Sequence, residues 1–250
     1  AGSGVTFART ADNRLYFGGE GAMTDYSSHN TDVPVWLDGM GDRTLKSVFI
    51  GEGVTSVGSN AFKFTALSSV TLSEGLEMIG DGAFESCCIR SIEIPGTVTD
   101  IGVNAFKGCL NLRSIELPES VISIGSNAFA NCTRLRSVTF AGSLGSIPNG
   151  AFQAMSGYGQ LNLVFQADAP ASAYSDFEGM LPFLHQNGAI VYTQDAPSAS
   201  LLASGGTDAY FAVLGGVSLS GIELSSGVLP GLPAKDGKAQ DTGAKAADKP

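Results

Sequence analysis

Residues 90–109 read RSIEIPGTVTDIGVNAFKGC, and residues 112–132 repeat the same pattern as LRSIELPESVISIGSNAFANC. The pair Ala-Phe marks this repeat, and it recurs along the chain. Its phenylalanines are separated by 22, 22, 23 and 23 residues, and they are Phe62, Phe84, Phe106, Phe129 and Phe152. A fixed period of roughly 20 to 50 residues is typical of solenoid proteins. The chain is therefore predicted to consist of stacked coils of 22–23 residues.

Each unit also carries an L-x-x-L-x-L pattern, in which the second and third apolar residues alternate with polar ones. The first unit has Leu45, Val48 and Ile50 in these places. The later units have Leu67, Val70 and Leu72, then Ile89, Ile92 and Ile94, then Leu112, Ile115 and Leu117, then Leu135, Val138 and Phe140. Alternation of this kind predicts a short strand with one buried face in every unit.

One such unit has too few apolar side chains to offset the conformational entropy lost when it becomes ordered. Neighbouring coils must therefore cover one another, adding a parallel strand about every 4.8 Å. The fold class predicted is a β-rich leucine-rich-repeat solenoid, an α/β-type right-handed superhelix with short parallel strands. Atypical caps are expected at its N- and C-terminal ends.

The position before each Ala-Phe pair holds one of the two residue types that best tolerate a positive φ angle. These residues are Asn60, Gly82, Asn104, Asn127 and Gly150. They predict a left-handed turn. A ladder of asparagines bonded to the next coil is the alternative, but the two glycines argue against that as their sole role.

Three of the four cysteines repeat in phase with the phenylalanines. Cys87, Cys109 and Cys132 are predicted to be buried thiols that fill one small slot in each coil. A disulfide between stacked coils is the alternative. Cys88 is out of phase and is expected to be the free or exposed thiol. Zinc is disfavoured because the sulfurs would lie along a line rather than around a point.

The two quoted units resemble the BspA-like class of bacterial leucine-rich repeat, over about residues 45–166. The resemblance implies a cell-surface or secreted bacterial protein, of a family associated with adhesion to host proteins and to other cells. The site after the strand departs from the general leucine-rich pattern, since it holds glycine, threonine or serine, at Gly53, Gly75, Thr97, Ser120 and Ser143. That departure puts an asparagine ladder in doubt but not the solenoid.

The ends of the chain are predicted to differ from the repeats. Residues 1–44 form an N-terminal cap, with a hairpin over 5–17 that turns at Asp12-Asn13. Trp36 is expected to pack with Tyr16 and Phe17 over the first coil, although a ligand-stacking role is possible.

Beyond the repeats of 45–166, residues 167–226 form a degenerate repeat and a C-terminal cap, and 227–250 a flexible linker. Strands are predicted at Leu163–Phe165 and Ala189–Tyr192, a short helix within 198–215 and an edge strand at 217–224. Phe177 is expected to replace the missing Ala-Phe pair.

No enzyme is predicted. The chain lacks H-E-x-x-H, G-x-S-x-G, G-x-x-x-x-G-K-[ST], G-x-G-x-x-G and C-x-x-C, and its two histidines, His29 and His185, lie outside the regular coils. No cofactor and no metal are expected. A net charge of −10 is unsuited to nucleic acid. No apolar run approaches the roughly 20 residues that span a bilayer.

Function is therefore expected on the surface of the predicted strands. Outward hydroxyl and charged side chains recur at the spacing of the coils, with a basic residue at the start of most strands. The predicted binding residues are Ser69, Thr71, Arg90, Ser91, Glu93, Arg113, Ser114, Glu116, Arg136, Ser137 and Thr139. The alternative is that Arg and Glu three residues apart neutralise each other and only keep this face soluble.

Two functions remain open. The first is a monomeric, adhesin-like recognition module that binds an extracellular protein or glycan through its strand face. The second is a ligand-free structural spacer within a larger surface protein. In either case an extracellular, cell-surface or cell-wall location is expected. Since no L-P-x-T-G signal is present, any anchor is expected beyond Pro250.

Overall fold

The predicted solenoid is present in the structure, a computed structural model. It describes residues 4–27, 32–39, 41–142, 148 and 150–152, and the backbone of 162–165, 190–193 and 211–213. These residues contain strands and turns but no helix. The strands are β1 (Val5–Arg9), β2 (Arg14–Gly19), β3 (Gly21–Ala22), β4 (Ser47–Ile50), β5 (Val54–Val57), β6 (Ser69–Leu72), β7 (Met78–Ile79), β8 (Asp100–Ile101), β9 (Ser114–Leu117), β10 (Ser123–Ile124), β11 (Ser137–Phe140), β12 (Asn162–Phe165), β13 (Ile190–Thr193) and β14 (Phe211–Val213).

Successive coils contribute successive strands to each sheet. The orders are β1-β2-β4-β6, then β3-β5-β7-β8-β10, and then β9-β11-β12-β13-β14. All pairs are parallel except the β1–β2 hairpin. The register joins equivalent positions of the repeat, as Val48↔Val70 and Ile115↔Val138 show. One side of the solenoid therefore carries the strands of the L-x-x-L-x-L pattern, and we call its outer surface the strand face.

The third unit departs from the prediction, because residues 91–94 form no strand. In other coils the residue after the strand donates its N–H to the preceding coil, as Ser73 does to the Ile50 carbonyl at 3.0 Å and Ala141 to Leu117 at 2.9 Å. The residue that follows this segment is Pro95, and the residue that follows β9 in the next coil is Pro118. Neither proline has an N–H to donate. Both closing hydrogen bonds of the third unit are therefore lost, and the strand face is divided between β6 and β9.

The rings of the five repeated phenylalanines form a continuous stack inside the solenoid. Adjacent ring centroids lie 5.5 Å apart from Phe62 through to Phe152, with interplanar angles between 3° and 16°. Each ring is fully buried. The stack continues across the divided third unit, where the Phe84 N–H also donates to the Ala105 carbonyl at 2.9 Å. The predicted aromatic core is confirmed.

The predicted left-handed turns are also confirmed. Asn60, Asn104 and Asn127 have φ angles of 56°, 57° and 59°, and Gly82 has 60°. A Cβ atom at Gly82 would lie 2.6 Å from Oδ1 of Asn60 in the preceding coil, at the end of a side chain that can move aside. A second left-handed position, four residues later in each turn, was not predicted; it holds Phe64, Ser86, Gly108 and Asn131.

The N-terminal hairpin forms as predicted, but β2 also pairs in parallel with β4 and so belongs to the solenoid. Trp36 is buried against Phe17, with centroids 5.0 Å apart, and donates its Nε1–H to the Ala61 carbonyl at 3.2 Å. Burial leaves this ring no surface for stacking a ligand. The prediction for Tyr16 is wrong: as a residue that alternates with buried Leu15 and Phe17, it points outward and contacts Phe49 instead.

Beyond residue 152 two predicted strands are confirmed, as β12 and β13, with the second shifted by one residue. The helix predicted within 198–215 is wrong for 211–213, which form β14 and extend the parallel sheet. Apolar and β-branched residues at Phe211 and Val213 suit this strand pairing. Several other predictions lie outside the described residues, namely those for His29, Phe177, His185, 217–224 and 227–250.

Candidate functional site

Alternation along each strand decides which side chains reach the strand face. In β9 the side chains of Ile115 and Leu117 enter the core, so those of Ser114 and Glu116 point to solvent. The register then aligns these outward residues with their equivalents in the next coil, as Ser114↔Ser137 and Glu116↔Thr139. The same holds at the other end of the face for Ser47↔Ser69 and Phe49↔Thr71. The predicted columns therefore exist as straight rows within β4 and β6 and within β9 and β11, on the two sides of the divided third unit.

Most of the predicted binding residues are exposed. The exposed ones are Ser69, Thr71, Arg90, Ser91, Glu93, Arg113, Ser114 and Glu116, and the half-buried ones are Arg136, Ser137 and Thr139. Ser91 and Glu93 stay exposed although their segment forms no strand. The structure thus brings these residues to one surface, while ligand binding by them stays a prediction.

The basic residues at the strand starts also form a row. The Arg113 N–H donates to the Arg90 carbonyl at 3.2 Å, and the Arg136 N–H to the Arg113 carbonyl at 2.8 Å. Three arginines therefore occupy equivalent places on three consecutive coils, and we call them the arginine ladder. Lys46 occupies the same place two coils before Arg90, since Ser68 N–H donates to the Lys46 carbonyl at 3.0 Å.

The charges on this face are not neutralised in the manner that the alternative interpretation requires. Among the described residues the ion pairs within 4.0 Å join Arg9 to Asp38 and Asp42, Arg14 to Asp12, and Lys63 to Glu85. None joins Arg90 to Glu93 or Arg113 to Glu116. Since both arginines and both glutamates are exposed, their charges face solvent and are available to a partner.

Two further features of this face lie outside the predicted set of binding residues, although Phe49 was expected to point outward. Tyr16 and Phe49 are 42% and 40% exposed, and their ring centroids lie 6.2 Å apart. Exposed glutamates also follow the strands, at Glu52, Glu74 and Glu119. Their signal was present, because each lies two residues after the third apolar residue of its unit. The strand face therefore has a basic edge at the strand starts and an acidic edge at the strand ends.

A buried ion pair fixes the N-terminal end of the solenoid. Nη1 of Arg9 lies 2.7 Å from Oδ2 of Asp42, whose side chain is only 1% exposed. Burial alone would raise the pKa of Asp42, but hydrogen bonds from the side chain and N–H of Thr44, and from Arg9, hold it well below its usual range. Hydrogen bonds to the charged form stabilise it in this way. The pair attaches the hairpin to the loop before the first repeat and lies apart from the strand-face rows.

The repeated cysteines are confirmed as buried thiols, and no disulfide joins them. Each donates its S–H to the phenylalanine carbonyl of the preceding coil, at 3.0 Å from Cys87, 3.2 Å from Cys109 and 3.1 Å from Cys132. Burial raises the pKa of Cys87 and of Cys132 to about 12, and that of Cys109 well above its ordinary value. Because the thiolate is the nucleophile and the metal ligand, these side chains are structural. Cys88 is exposed as predicted.

Metal chemistry has no visible basis in the part of the chain that the structure describes. No group of three or more His, Cys, Asp or Glu residues there could hold a metal ion. Nor does any helix of these residues have the length and apolar character needed to cross a membrane.

Comparison with known proteins identifies the type of repeat. Residues 40–158 match the BspA type leucine rich repeat region in six copies. The repeats of this chain are BspA-type leucine-rich repeats. No curated protein matches the chain.

Solved structures of bacterial leucine-rich repeat proteins are similar to this chain. A leucine-rich repeat protein of T. pallidum is 25% identical, with 67% of this chain and 81% of that chain covered and a TM-score of 0.48. One from Bacteroides ovatus is 21% identical, with 78% and 52% covered and a TM-score of 0.47. The pneumococcal vaccine antigen PcpA is 19% identical, with 83% and 47% covered and a TM-score of 0.54. This chain spans about half the length of the last two.

Proposed function

We propose that this chain is a non-enzymatic, adhesin-like recognition module that binds an extracellular protein or glycan through its strand face. The observation that carries this proposal is the set of exposed polar and charged rows, repeated coil by coil without intramolecular ion pairs at Arg90, Arg113, Glu93 and Glu116. A rigid surface of repeated groups can bind a long partner through many weak contacts, because little conformational entropy is lost on binding.

Energetic considerations support recognition over mere solubility. Arg90 and Arg113 stand on adjacent coils, where like charges repel each other, and so do Glu93 and Glu116. Serine or threonine would keep this face equally soluble without the repulsion, as Ser68 and Thr71 do one coil earlier. A partner of complementary charge would remove that repulsion when it binds.

The proposed setting is the bacterial cell surface or the secreted fraction, with the module acting as a monomer. The BspA-type match over residues 40–158 supports this setting, because the resemblance implies a cell-surface or secreted protein. A net charge of −10 disfavours nucleic acid as the partner. Neither catalysis nor a cofactor is part of the proposal.

The experiment is a binding screen of the 250-residue chain against arrays of extracellular matrix proteins and glycans. A variant with alanine at Arg90, Arg113, Glu93 and Glu116 should lose the retained ligand while keeping its melting temperature, because all four side chains are exposed. The matched control has alanine at Glu77 and Lys107, outside the strand-face rows, and should bind normally. A chain that retains no ligand across the arrays is a spacer, and that result would exclude the proposed function.

A further inference from the structure

The strand face is interrupted at the third unit, where the backbone of residues 91–94 is unpaired. The parallel ladder ends at β6 and begins again at β9. Among the described backbone hydrogen bonds, residues 91–94 neither donate nor accept one. The strand face therefore consists of an N-terminal half, formed by β1, β2, β4 and β6, and a C-terminal half, formed by β9 and β11 to β14.

The same coils are joined without interruption elsewhere. At the Ala-Phe turns, which we call the turn side, Phe84 donates its N–H to the Ala105 carbonyl at 2.9 Å, and Phe106 donates to Ala128 at 2.8 Å. In the second sheet β8 pairs with both β7 and β10. The third unit is therefore fixed to its neighbours at the turn side and in the second sheet, and open at the strand face.

Burial shows that solvent reaches the gap between β6 and residues 91–94. Val70 and Leu72 have the inward places of β6 but are only half-buried. The equivalent residues of β4 are Val48 and Ile50, which are 2% and 0% exposed. The second coil is thus covered by its preceding neighbour and incompletely covered by the third unit.

Two glycines at the same place in the repeat report how closely the coils approach after the strand. A Cβ atom at Gly142 would lie 2.5 Å from the carbonyl oxygen of Glu119, the equivalent residue of the preceding coil. At Gly96 the equivalent residue is Glu74, yet a Cβ atom there would meet nothing within 4 Å. The coils are therefore in close contact at Gly142 and apart at Gly96.

The mismatch extends to the boundary between the third and fourth units. Thr97 donates its hydroxyl to the Leu76 carbonyl of the preceding coil at 2.7 Å. Ser120 has the equivalent place one coil later, and its buried Oγ atom has no hydrogen-bond partner. Buried polar atoms are normally hydrogen-bonded, so an unsatisfied one indicates that two segments do not fit together closely.

An opening on one side of a solenoid that is bonded on the other sides has the geometry of a hinge. Elsewhere along the strand face, a change in the angle between coils would break ladder hydrogen bonds. At the third unit these bonds are already absent, because Pro95 and Pro118 have no N–H to donate at the end of the ladder. The phenylalanine stack adjoins the turn side, so a small rotation there leaves the ring contacts intact.

We propose that the third unit is a hinge, about which the two halves of the strand face turn toward or away from each other. Each half keeps its own complete ladder and moves as a rigid body, in the manner of hinge motions between packed units. Pro95 and Pro118 hold the gap open. This inference concerns the free chain and goes beyond the proposed function, although a partner that contacted both halves would fix their angle.

Hydrogen exchange of the full chain, followed by NMR, tests the open ladder. The amides of Ile92 and Glu93 should exchange at least about 100-fold faster than those of Val138 and Thr139, which have the equivalent places in β11 with a paired strand on each side. The Phe106 amide, which is bonded at the turn side of the same unit, should be protected. Equal protection of Ile92 and Val138 would overturn the inference.

Residual dipolar couplings of the same sample test the motion itself. Couplings from the N-terminal half and from the C-terminal half are fitted separately. Two halves that turn relative to each other should give alignment tensors of different magnitude. A single tensor that fits both halves equally well would show a rigid solenoid, and the hinge would then be disproved even if residues 91–94 exchange rapidly.

Proline variants test what holds the gap open. P95A/P118A supplies the two missing N–H groups, and Ala141 shows that alanine at this place donates to the preceding coil. Exchange at Glu93 should slow by about tenfold or more, and the two tensors should become alike. The matched control P148A removes a proline that lies beside the last Ala-Phe turn, so it should leave Glu93 unchanged.

Equal exchange at Glu93 in P95A/P118A and P148A would show that the prolines do not hold the gap open, and the inference would fail. Protected amides at Gly102 and Gly125, which donate within the second sheet at 2.8 and 2.7 Å, verify that each variant is folded. If P95A/P118A does not fold, the couplings and exchange rates of the unaltered chain still decide between a hinge and a rigid solenoid.

Discussion

Replacement of Phe106 by alanine tests the central feature of the fold. The Phe106 ring is fully buried and lies 5.5 Å from the rings of Phe84 and Phe129, at interplanar angles of 16° and 3°. Phenylalanine-to-alanine changes in protein cores cost about 3 to 5 kcal/mol. Two stacked contacts are lost here, each worth about 0.5 to 1.5 kcal/mol beyond area burial, so we expect the upper half of that range, about 4 to 5 kcal/mol.

The assay is urea and thermal unfolding followed by far-UV circular dichroism. At about 2 to 4 °C per kcal/mol for a chain of this size, the melting temperature should fall by about 8 to 20 °C. The matched control is Phe49→Ala, since that ring is 40% exposed and contacts only the outward Tyr16 ring among the described ring pairs. It should cost less than about 1 kcal/mol.

A variant of intermediate size separates the effect of lost side-chain volume from the effect of lost ring stacking. Phe106→Leu restores most of the buried volume but no ring, so it should cost about 1 to 2 kcal/mol. If Phe106→Ala shifts the unfolding transition no further than Phe49→Ala does, the stacked rings are not the core of this protein and the solenoid described above is incorrect.

Three other predictions concern the caps, the coil contacts and the thiols. Because the pKa of Asp42 is lower in the folded than in the unfolded state, the stability that it adds is present above about pH 4 and is lost as pH falls below that value. Urea midpoints should therefore fall between about pH 5 and pH 2, with a smaller slope in Asp42→Asn, and equal slopes would contradict the buried ion pair. Gly80→Ala should destabilise by about 1 to 3 kcal/mol, because its Cβ would lie 2.7 Å from the Val57 carbonyl oxygen, whereas Gly96→Ala meets nothing within 4 Å and should leave the melting curve unchanged. Iodoacetamide should label Cys88 in the native protein and Cys109 only after unfolding, and mass spectrometry that found both labelled at equal rates would disprove burial of the thiol column.

The sequence was most informative where a position recurs. The phenylalanine stack, the left-handed turns and the buried thiols each repeat in several units, so a chance match in one unit could not mislead. The strand face was predictable for the same reason, because alternation and a fixed period together specify which residues share a row. The alternation within one unit already predicts which strand-face residues point outward, and the neighbouring units repeat the same prediction.

Features that occur once were not predictable. Arg9 and Asp42 are 33 residues apart, and neither belongs to a repeating column, so no period links them. Tyr16 was expected to pack with Trp36 over the first coil, although strict alternation with Leu15 and Phe17 places it outside. Pro95 and Pro118, which divide the strand face, can be seen in the sequence. Their effect on strand pairing could not be predicted, because it depends on which N–H groups bond to the preceding coil, and only the register of the strands shows that.

The divided third unit shows how stability and recognition are separated in this fold. Residues 91–94 lose their strand pairing, yet Ile92 and Ile94 remain buried and the rings of Phe84 and Phe106 still stack at 5.5 Å. The core and the turns therefore hold adjacent coils together even where the strand ladder fails. Side chains on the strand face add little to that stability, because they point away from the core. Substitutions in the arginine ladder should for this reason change binding without unfolding the chain, which is the condition that the proposed experiments need.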